Sequence, residues 1–160
     1  MLRYGVEICR VLEYLASIQP EPVVHNDIKP ANIIIDKNSL QAVLVDFGTA
    51  KARYTRDPGG QAGLRQSDVY GTIGYAPPEQ YQGRSEPKSD VYALAATLYH
   101  LLTDDDPRAH PFKFPKMDEI AADSRLVLEK ALSPDVQERL SAAEFRRQLE
   151  AVRAARAGTL

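Results

Sequence analysis

The chain has 160 residues, enough for one ordinary domain, and its composition is that of a folded protein, with 44% hydrophobic and 26% charged residues. Lysine and arginine number 20 against 22 aspartate and glutamate, so a net charge of −2 argues against a dedicated nucleic-acid binder. The single cysteine, Cys9, excludes an internal disulfide framework and a cysteine-based structural zinc site, and a reducing cytoplasm is the expected setting.

Apolar residues recur every three or four positions in several segments, a spacing typical of amphipathic helices. Four helices are predicted in this way, over 6–18, 90–102, 120–132 and from 141 onward. The second is apolar on nearly every face, which indicates burial, and its apolar run over 91–102 is far shorter than the ~20 residues of a membrane helix. Asp90 opens this helix after a serine and is predicted to cap it. Ser141 and Glu144 form a capping box for the last helix, whose arginine-rich end, 153–160, is expected to fray.

Three short apolar segments, at 23–24, 33–35 and 42–45, are predicted to be β-strands. A turn-like sequence separates the last two, so these two strands are predicted to form a hairpin. Residues 48–78 contain several glycines and prolines among polar residues and show no sustained periodicity. A loop of this length inside a compact domain is uncommon and is usually functional or disordered.

The most informative stretch is 25–32, a His-Asn-Asp-Ile-Lys-Pro-Ala-Asn sequence between the first two strands. It supplies Asp27, Lys29 and Asn32, and the third strand leads into Asp46. A carboxylate and an amide brought together by hairpin geometry form a hard-oxygen site suited to Mg²⁺. Asp27 offers a base for a hydroxyl and Lys29 a charge stabiliser beside that metal, which is the arrangement that phosphoryl transfer needs.

These segments resemble the catalytic loop and the metal-binding Asp-Phe-Gly motif of protein kinases. Further along, 71–79 resembles the end of the family's activation segment, with Pro-Pro-Glu where Ala-Pro-Glu is usual, and 89–94 resembles the start of its large central helix. Arg139 stands where kinases keep an arginine that pairs with this glutamate. The matches occur in the family's order from residue 6 to 152. Lys29 and the Gly-Thr pair that opens 71–79 resemble the serine/threonine branch, and the Pro-Pro-Glu-Gln-Tyr sequence at 77–81 resembles bacterial members of that branch.

The resemblance implies a role for each matching residue. Asp27 would be the catalytic base for the substrate hydroxyl, Lys29 would contact the transferring phosphoryl group, and Thr72 would link both to the activation segment. Asn32 and Asp46 would hold Mg²⁺ that bridges the phosphates of ATP, and the partner would be a protein with a serine or threonine hydroxyl. The implied fold is α+β and mainly α, the large, C-terminal lobe of a protein kinase with short strands framing the catalytic loop.

Other residues are expected to act in the structure rather than in the chemistry. In the family, the position of His25 braces the loop, and that of Asp90 ties down the loop's backbone. Glu79 and Arg139 are expected to form a buried brace, and Cys9, on the first helix, to be an inert core thiol.

The resemblance assigns 1–160 to a partial kinase domain in which 46–79 is the activation segment. The family's glycine-rich nucleotide loop, strand lysine and helix glutamate would precede Val6, so the small, N-terminal lobe is expected to be absent from this chain. Upstream sequence or another chain would then supply it. The first helix and the strands near Asp46 normally face that lobe, and exposed apolar surface is expected there.

One residue departs from the family pattern. Asn26 replaces the arginine that usually precedes the catalytic aspartate and contacts a phosphorylated residue of the activation loop. An asparagine carries no charge and cannot form an arginine–phosphate fork. Activity is therefore expected not to depend strongly on phosphorylation between Thr49 and Tyr70, for example at Thr55 or Ser67.

Two other functions stay open. A lobe without its nucleotide clamp could be a non-catalytic scaffold or binding module, although the complete set of acceptor-side and metal residues counts against this. A small-molecule kinase of the aminoglycoside type shares the H-x-D-x-x-x-x-N loop, but Lys29, the Asp-Phe-Gly motif and 71–79 favour protein substrates. The acidic run at 104–106 is expected to be a solvated turn rather than a metal site.

Overall fold

A computed structural model describes residues 1–52 and 71–159. The helices are α1 (Leu2–Ser17), α2 (Pro87–Thr103), α3 (Ala122–Ala131) and α4 (Ala142–Gly158). The strands are β1 (Val23–Val24), β2 (Ile33–Ile35), β3 (Ala42–Leu44) and β4 (Lys51–Ala52). This mainly helical architecture with a few short strands confirms the predicted α+β class.

Helix α2 forms the centre of the hydrophobic core. Its residues from Ser89 to Tyr99 are all buried, as the apolar residues on nearly every face predicted. Helix α1 packs against both α2 and α4. Gly5 allows this close approach, because a Cβ at this position would lie 2.9 Å from Leu98 of α2 and 3.1 Å from Leu149 of α4.

The strands form two small antiparallel sheets. Strands β2 and β3 make the predicted hairpin, and the pair Ile34 and Val43 lie opposite each other at its centre. Strand β4 pairs with β1. The sequence did not predict β4, because lysine and alanine are depleted in strands, whereas the two valines of β1 favour them. Both sheets bring the residues around position 46 back to the loop that follows β1.

The β2–β3 hairpin presents an apolar face to solvent. Ile34 is 53% and Val43 46% exposed, and Phe47, just beyond the hairpin, is 43% exposed. Exposed apolar surface was expected on these strands. A contiguous exposed apolar face of this kind is typical of surfaces that bind another protein element.

Helix α4 continues beyond the point where the sequence predicted fraying. It remains helical to Gly158, where residues 153–160 were expected to be frayed. The Arg156 guanidinium donates to both carboxylate oxygens of Asp123, at 3.0 and 2.6 Å, and to Ser124 Oγ at 2.8 Å. These contacts hold the last turns against α3, and they could not be read from local sequence.

Among residues 1–52 and 71–159, no helix combines the length and the hydrophobicity needed to cross a membrane.

Gly74→Ala is expected to destabilise the protein. Gly74 has a φ of +94°, and an added Cβ would lie 2.6 Å from the backbone of Pro107 and Arg108. The left-handed conformation alone costs a side-chain-bearing residue roughly 1–2 kcal/mol. We expect the free energy of unfolding, measured in urea, to fall by more than about 1 kcal/mol.

Gly158→Ala is the matched control, since nothing lies within 4 Å of its Cβ position at the end of α4. This change should leave stability unaltered or raise it by up to about 1 kcal/mol. Equal effects of the two substitutions would contradict the packing assigned to Gly74.

Candidate catalytic site

The carboxylate of Asp90 anchors the loop 25–32. Its Oδ2 accepts from the backbone N–H of His25 at 2.7 Å and its Oδ1 from that of Asn26 at 3.0 Å. The predicted role of Asp90 as helix cap is wrong, because α2 begins three residues earlier, at Pro87. Proline is favoured in the first turn of a helix, and Ser89 Oγ accepts from the N–H of Glu86 to satisfy that end. The implied role of Asp90 in tying down the loop backbone agrees with the structure.

His25 braces the loop from inside, as expected. It is fully buried, and its Nδ1 accepts from the backbone N–H of Asp27 at 3.1 Å, while Nε2 lies 2.9 Å from the carbonyl oxygen of Val45. Because an amide N–H can only donate, Nδ1 is the acceptor in the contact with Asp27. The ring joins the loop to the end of β3 and packs edge-to-face with the Phe47 ring, at a centroid distance of 4.7 Å.

Asp27, Lys29 and Thr72 meet in one polar cluster. The Thr72 hydroxyl donates to Asp27 Oδ1 at 2.7 Å, and Lys29 Nζ donates to Thr72 Oγ1 at 2.9 Å. Lys29 Nζ also lies 3.6 Å from Asp27 Oδ2. The structure thus brings together the three residues predicted as catalytic, although Thr72 is 45 positions from Asp27 in the chain.

Asn32 lies beside this cluster at the end of a short 3₁₀ helix, Pro30–Asn32. Its Nδ2 donates to the Asp27 backbone carbonyl at 2.7 Å and lies 3.4 Å from Asp27 Oδ2. The amide nitrogen is used in this way, so the amide oxygen is the atom that can face a ligand. The Asn32 carbonyl also accepts from the N–H of Val45 at 2.9 Å, which holds the residue before Asp46 next to the loop.

Asp46 adopts a left-handed conformation, with a φ of 60°, and its side chain is exposed. Aspartate tolerates this region better than most residues because its short side chain can bond locally. Asp46 Oδ1 accepts from the N–H of Gly48 at 3.3 Å, which orients the carboxylate at the start of the 3₁₀ helix Phe47–Thr49.

Asn32 and Asp46 offer few protein ligands, which suits a magnesium ion that also binds water and phosphate better than a metal ion bound only by protein side chains. Within residues 1–52 and 71–159, no group of three or more His, Cys, Asp or Glu side chains could hold a metal ion. Mg²⁺ is commonly bound by one or two carboxylates together with waters and substrate phosphates. The exposed carboxylate of Asp46 and the amide oxygen of Asn32 are donors of the kind that such a site uses.

Glu79 and Arg139 form the expected buried brace. Arg139 Nη1 lies 2.5 Å from Glu79 Oε1, and Nη2 lies 3.1 Å from Oε2, so the pair is bidentate. Arg139 also donates to the carbonyl oxygens of Ser133 and Lys88, and its guanidinium lies over the ring of Tyr92. The Arg139 side chain has no exposed surface, so these contacts must replace its lost hydration.

The remaining predicted residues have simpler surroundings. Burial raises the pKa of the Cys9 thiol, which agrees with an inert core cysteine. In the acidic turn, Asp105 pairs with His110 at 2.8 Å, and the Arg108 guanidinium lowers the pKa of Asp106 to about 2. Thr55 and Ser67, named as possible phosphorylation positions, lie outside the described residues.

Sequence reasoning missed Ser85. Its hydroxyl donates to the side-chain oxygen of Asn26, which lies directly before Asp27. The two residues are 59 positions apart, and no motif or residue spacing in the sequence indicates a functional role for Ser85. Only the three-dimensional contact identifies it.

Arg139→Ala is expected to lower the free energy of unfolding by about 3–5 kcal/mol, because it leaves the Glu79 carboxylate buried without its partner. Urea unfolding measures this. As a control, Arg125→Ala removes an ion pair to the 94% exposed Asp118 and should cost less than about 1 kcal/mol. A loss at position 139 no larger than that of the control would contradict the brace.

The substitution Asp90→Asn tests whether burial or the two N–H donors have the larger effect on the pKa of Asp90. Burial raises the pKa of Asp90, against the two N–H donors that lower it. The folded protein therefore keeps a proton on Asp90 at a pH where the unfolded chain has lost it. The stabilisation by Asp90 should thus fall as the pH rises above the ordinary carboxyl pKa of about 4.

The measurement is urea unfolding of both proteins between pH 4 and pH 7, in which the advantage of the original over Asp90→Asn should shrink. An advantage that grows with pH would show that the two N–H donors outweigh burial.

Residues 2–149 match the sequence model of the protein kinase domain. U-box domain-containing protein 33 of Arabidopsis thaliana is 43% identical over 103 residues, which cover 64% of this chain and 12% of that protein. Serine/threonine-protein kinase PknA of Nostoc sp. is 38% identical over 103 residues, 64% of this chain and 18% of that protein. Serine/threonine-protein kinase B of Synechocystis sp. is 37% identical over 110 residues, 66% of this chain and 18% of that protein. The chain thus spans less than a fifth of the length of these relatives, and its match to the domain model from α1 into α4 places it in the protein kinase family.

Proposed function

We propose that the protein is a serine/threonine protein kinase, which transfers the γ-phosphoryl group of Mg–ATP to a serine or threonine hydroxyl of a protein substrate. The observation that carries this proposal is the cluster in which Thr72 donates to Asp27 and Lys29 donates to Thr72, at 2.7 and 2.9 Å. Thr72, in the segment that would bind the substrate, thus links the proposed acceptor base and the cation through one hydrogen bond to each, and the two charged groups lie 3.6 Å apart.

Asp27 is the proposed base. Its backbone N–H is held by His25 and its carbonyl by Asn32, so the peptide on each side of the carboxylate is fixed. Its side chain keeps 15% of its surface exposed, enough for a substrate hydroxyl to reach it. The carboxylate would orient that hydroxyl and accept its proton as the oxygen attacks.

Lys29 is the proposed charge stabiliser. Its ammonium lies 3.6 Å from Asp27 Oδ2, and the Lys29 side chain keeps 29% of its surface exposed. A cation placed there lowers the energy of negative charge that develops on the transferred group. Thr72 fixes the ammonium and the carboxylate relative to each other, since it accepts from one and donates to the other.

Asn32 and Asp46 would hold Mg²⁺ through the amide oxygen and the carboxylate. The bound metal would supply charge neutralisation on the nucleotide phosphates. The left-handed backbone at Asp46 and the Gly48 contact orient the carboxylate before any ligand arrives, which limits the reorganisation required on binding.

The proposal extends to the domain as a whole. Residues 1–160 would form the large lobe of a kinase, with 46–79 as its activation segment, and the nucleotide-clamping lobe would come from sequence outside this chain or from another chain. The exposed pair Ile34 and Val43 on the β2–β3 hairpin supports such a partner lobe. A cytoplasmic setting is proposed from the single, buried Cys9.

The names of two relatives, both serine/threonine kinases, support a protein substrate over a small molecule. The involvement of Thr72 in the cluster supports it as well, because 71–79 is the part of the chain that would contact a peptide. A non-catalytic binding module is the second candidate, favoured by the exposed hairpin face rather than by the polar cluster.

Asp27→Asn and Asp46→Asn are expected to reduce phosphoryl transfer to a protein substrate by about 100-fold or more in the full-length protein. Each change keeps the size of the side chain and removes the charge that accepts the proton or binds the metal. Asp118→Asn is the control, because Asp118 is 94% exposed and remote from the cluster in sequence. Turnover of either site variant that equals the control would refute the assignment of that residue.

Calorimetry with Mg–ATP separates the two candidate functions. A kinase should bind the nucleotide in the presence of Mg²⁺, and Asp46→Asn should weaken this Mg²⁺-dependent binding while circular dichroism shows an unchanged fold. Absence of binding by a folded full-length protein would favour the non-catalytic module.

A further inference from the structure

Asn26, the residue before Asp27, uses all four of its polar groups in hydrogen bonds. It is 2% exposed and has a φ of 71°, a conformation that asparagine tolerates better than most residues. Its N–H donates to Asp90, and its carbonyl accepts from Gln80 Nε2 at 3.2 Å. Its side-chain Nδ2 donates to the Thr49 carbonyl at 3.2 Å, and its Oδ1 accepts from the Ser85 hydroxyl.

These partners lie on both sides of the segment 50–79. Thr49 directly follows the Asp-Phe-Gly sequence, and its own hydroxyl donates to the His25 carbonyl at 3.3 Å. Gln80 and Ser85 follow Glu79. Through its side chain and its backbone, the buried Asn26 thus connects the start of this segment with its end, directly before Asp27.

Gly71 shows how tightly this junction is packed. A Cβ at Gly71 would lie 2.7 Å from the Asn26 carbonyl oxygen and 2.8 Å from Gln80 Nε2. The backbone one residue before Thr72 therefore rests directly on the Asn26–Gln80 hydrogen bond. Movement of Asn26 would be transmitted to both Asp27 and Thr72.

We propose that Asn26, Thr49 and Ser85 form a clamp in which Asn26 is a positioning residue for Asp27. The inference rests on the proposed kinase function and concerns how that site is organised. The side-chain amide of Asn26 binds the Thr49 carbonyl through its nitrogen and the Ser85 hydroxyl through its oxygen, so both ends of the amide are held and the backbone next to Asp27 is held with them.

A double-mutant cycle tests the clamp in the full-length protein. Asn26→Gly removes the side chain without backbone strain at positive φ, and Ser85→Ala removes its hydroxyl partner. Each is expected to lower kcat by about 10-fold or more with less than about a 2-fold change in the KM for ATP, because it displaces the base rather than the nucleotide site. The double variant should be no worse than Asn26→Gly alone, since the two changes remove one shared interaction.

Ser133→Ala is the matched control, as its hydroxyl donates to a backbone carbonyl, that of Asp135, at an exposed site. It should leave kcat unchanged. Unchanged kcat in Asn26→Gly or in Ser85→Ala, or a double variant whose loss is the product of the two single losses, would overturn the clamp.

Hydrogen exchange gives a readout that does not require phosphoryl transfer. In both single variants the amides of Asn26 and Asp27 should exchange about 10-fold faster or more, while that of Leu149 in α4 keeps its rate. If the protein transfers no phosphate but this local change occurs, the clamp stands and the proposed function fails. If the protein is active and exchange at Asn26 and Asp27 is unaffected, the clamp fails and the function stands.

Discussion

The site depends on one interaction, the acceptance of two backbone N–H groups by the buried carboxylate of Asp90. This carboxylate belongs to the most buried helix, so it transfers the rigidity of the core to His25 and Asn26. With those amides held, the His25 ring can reach both Asp27 and Val45, and the loop has one arrangement. Burial of a carboxylate is costly, and the two N–H donors offset part of that cost, so burial still raises the pKa of Asp90.

A second set of contacts closes the later part of the chain over the loop. The bidentate pair of Glu79 and Arg139 fixes the end of the segment in a charged, fully buried brace. Gly71 permits close approach to the Asn26 carbonyl, and Thr72 then reaches Asp27. The ion pair holds the end of the segment to the core, whereas hydrogen bonds to Asn26 and Asp27 hold it to the loop.

Much of this arrangement was predictable from local patterns. The three- and four-residue apolar spacing identified the helices, and the turn between two apolar runs identified the hairpin. The predictions failed where a tertiary contact overrides a local signal. Asp90 looks like a helix cap because it follows a serine, yet Pro87 starts the helix earlier and frees Asp90 for the loop. Strand β4 consists of a lysine and an alanine, which are depleted in strands, and the end of α4 is held by Arg156 and Asp123 rather than by its own propensity.

The sequence by itself determined the types and order of the reactive residues and the elements that carry them, since those follow from periodicity and motif spacing. Only the tertiary structure decided which side chains meet. The bonds of Thr72 to Asp27 and of Ser85 to Asn26 join residues 45 and 59 positions apart. Such contacts form because the burial of α2 and the packing of residues 71–85 against the loop bring distant parts of the backbone together. No local sequence pattern predicts which of those parts will meet.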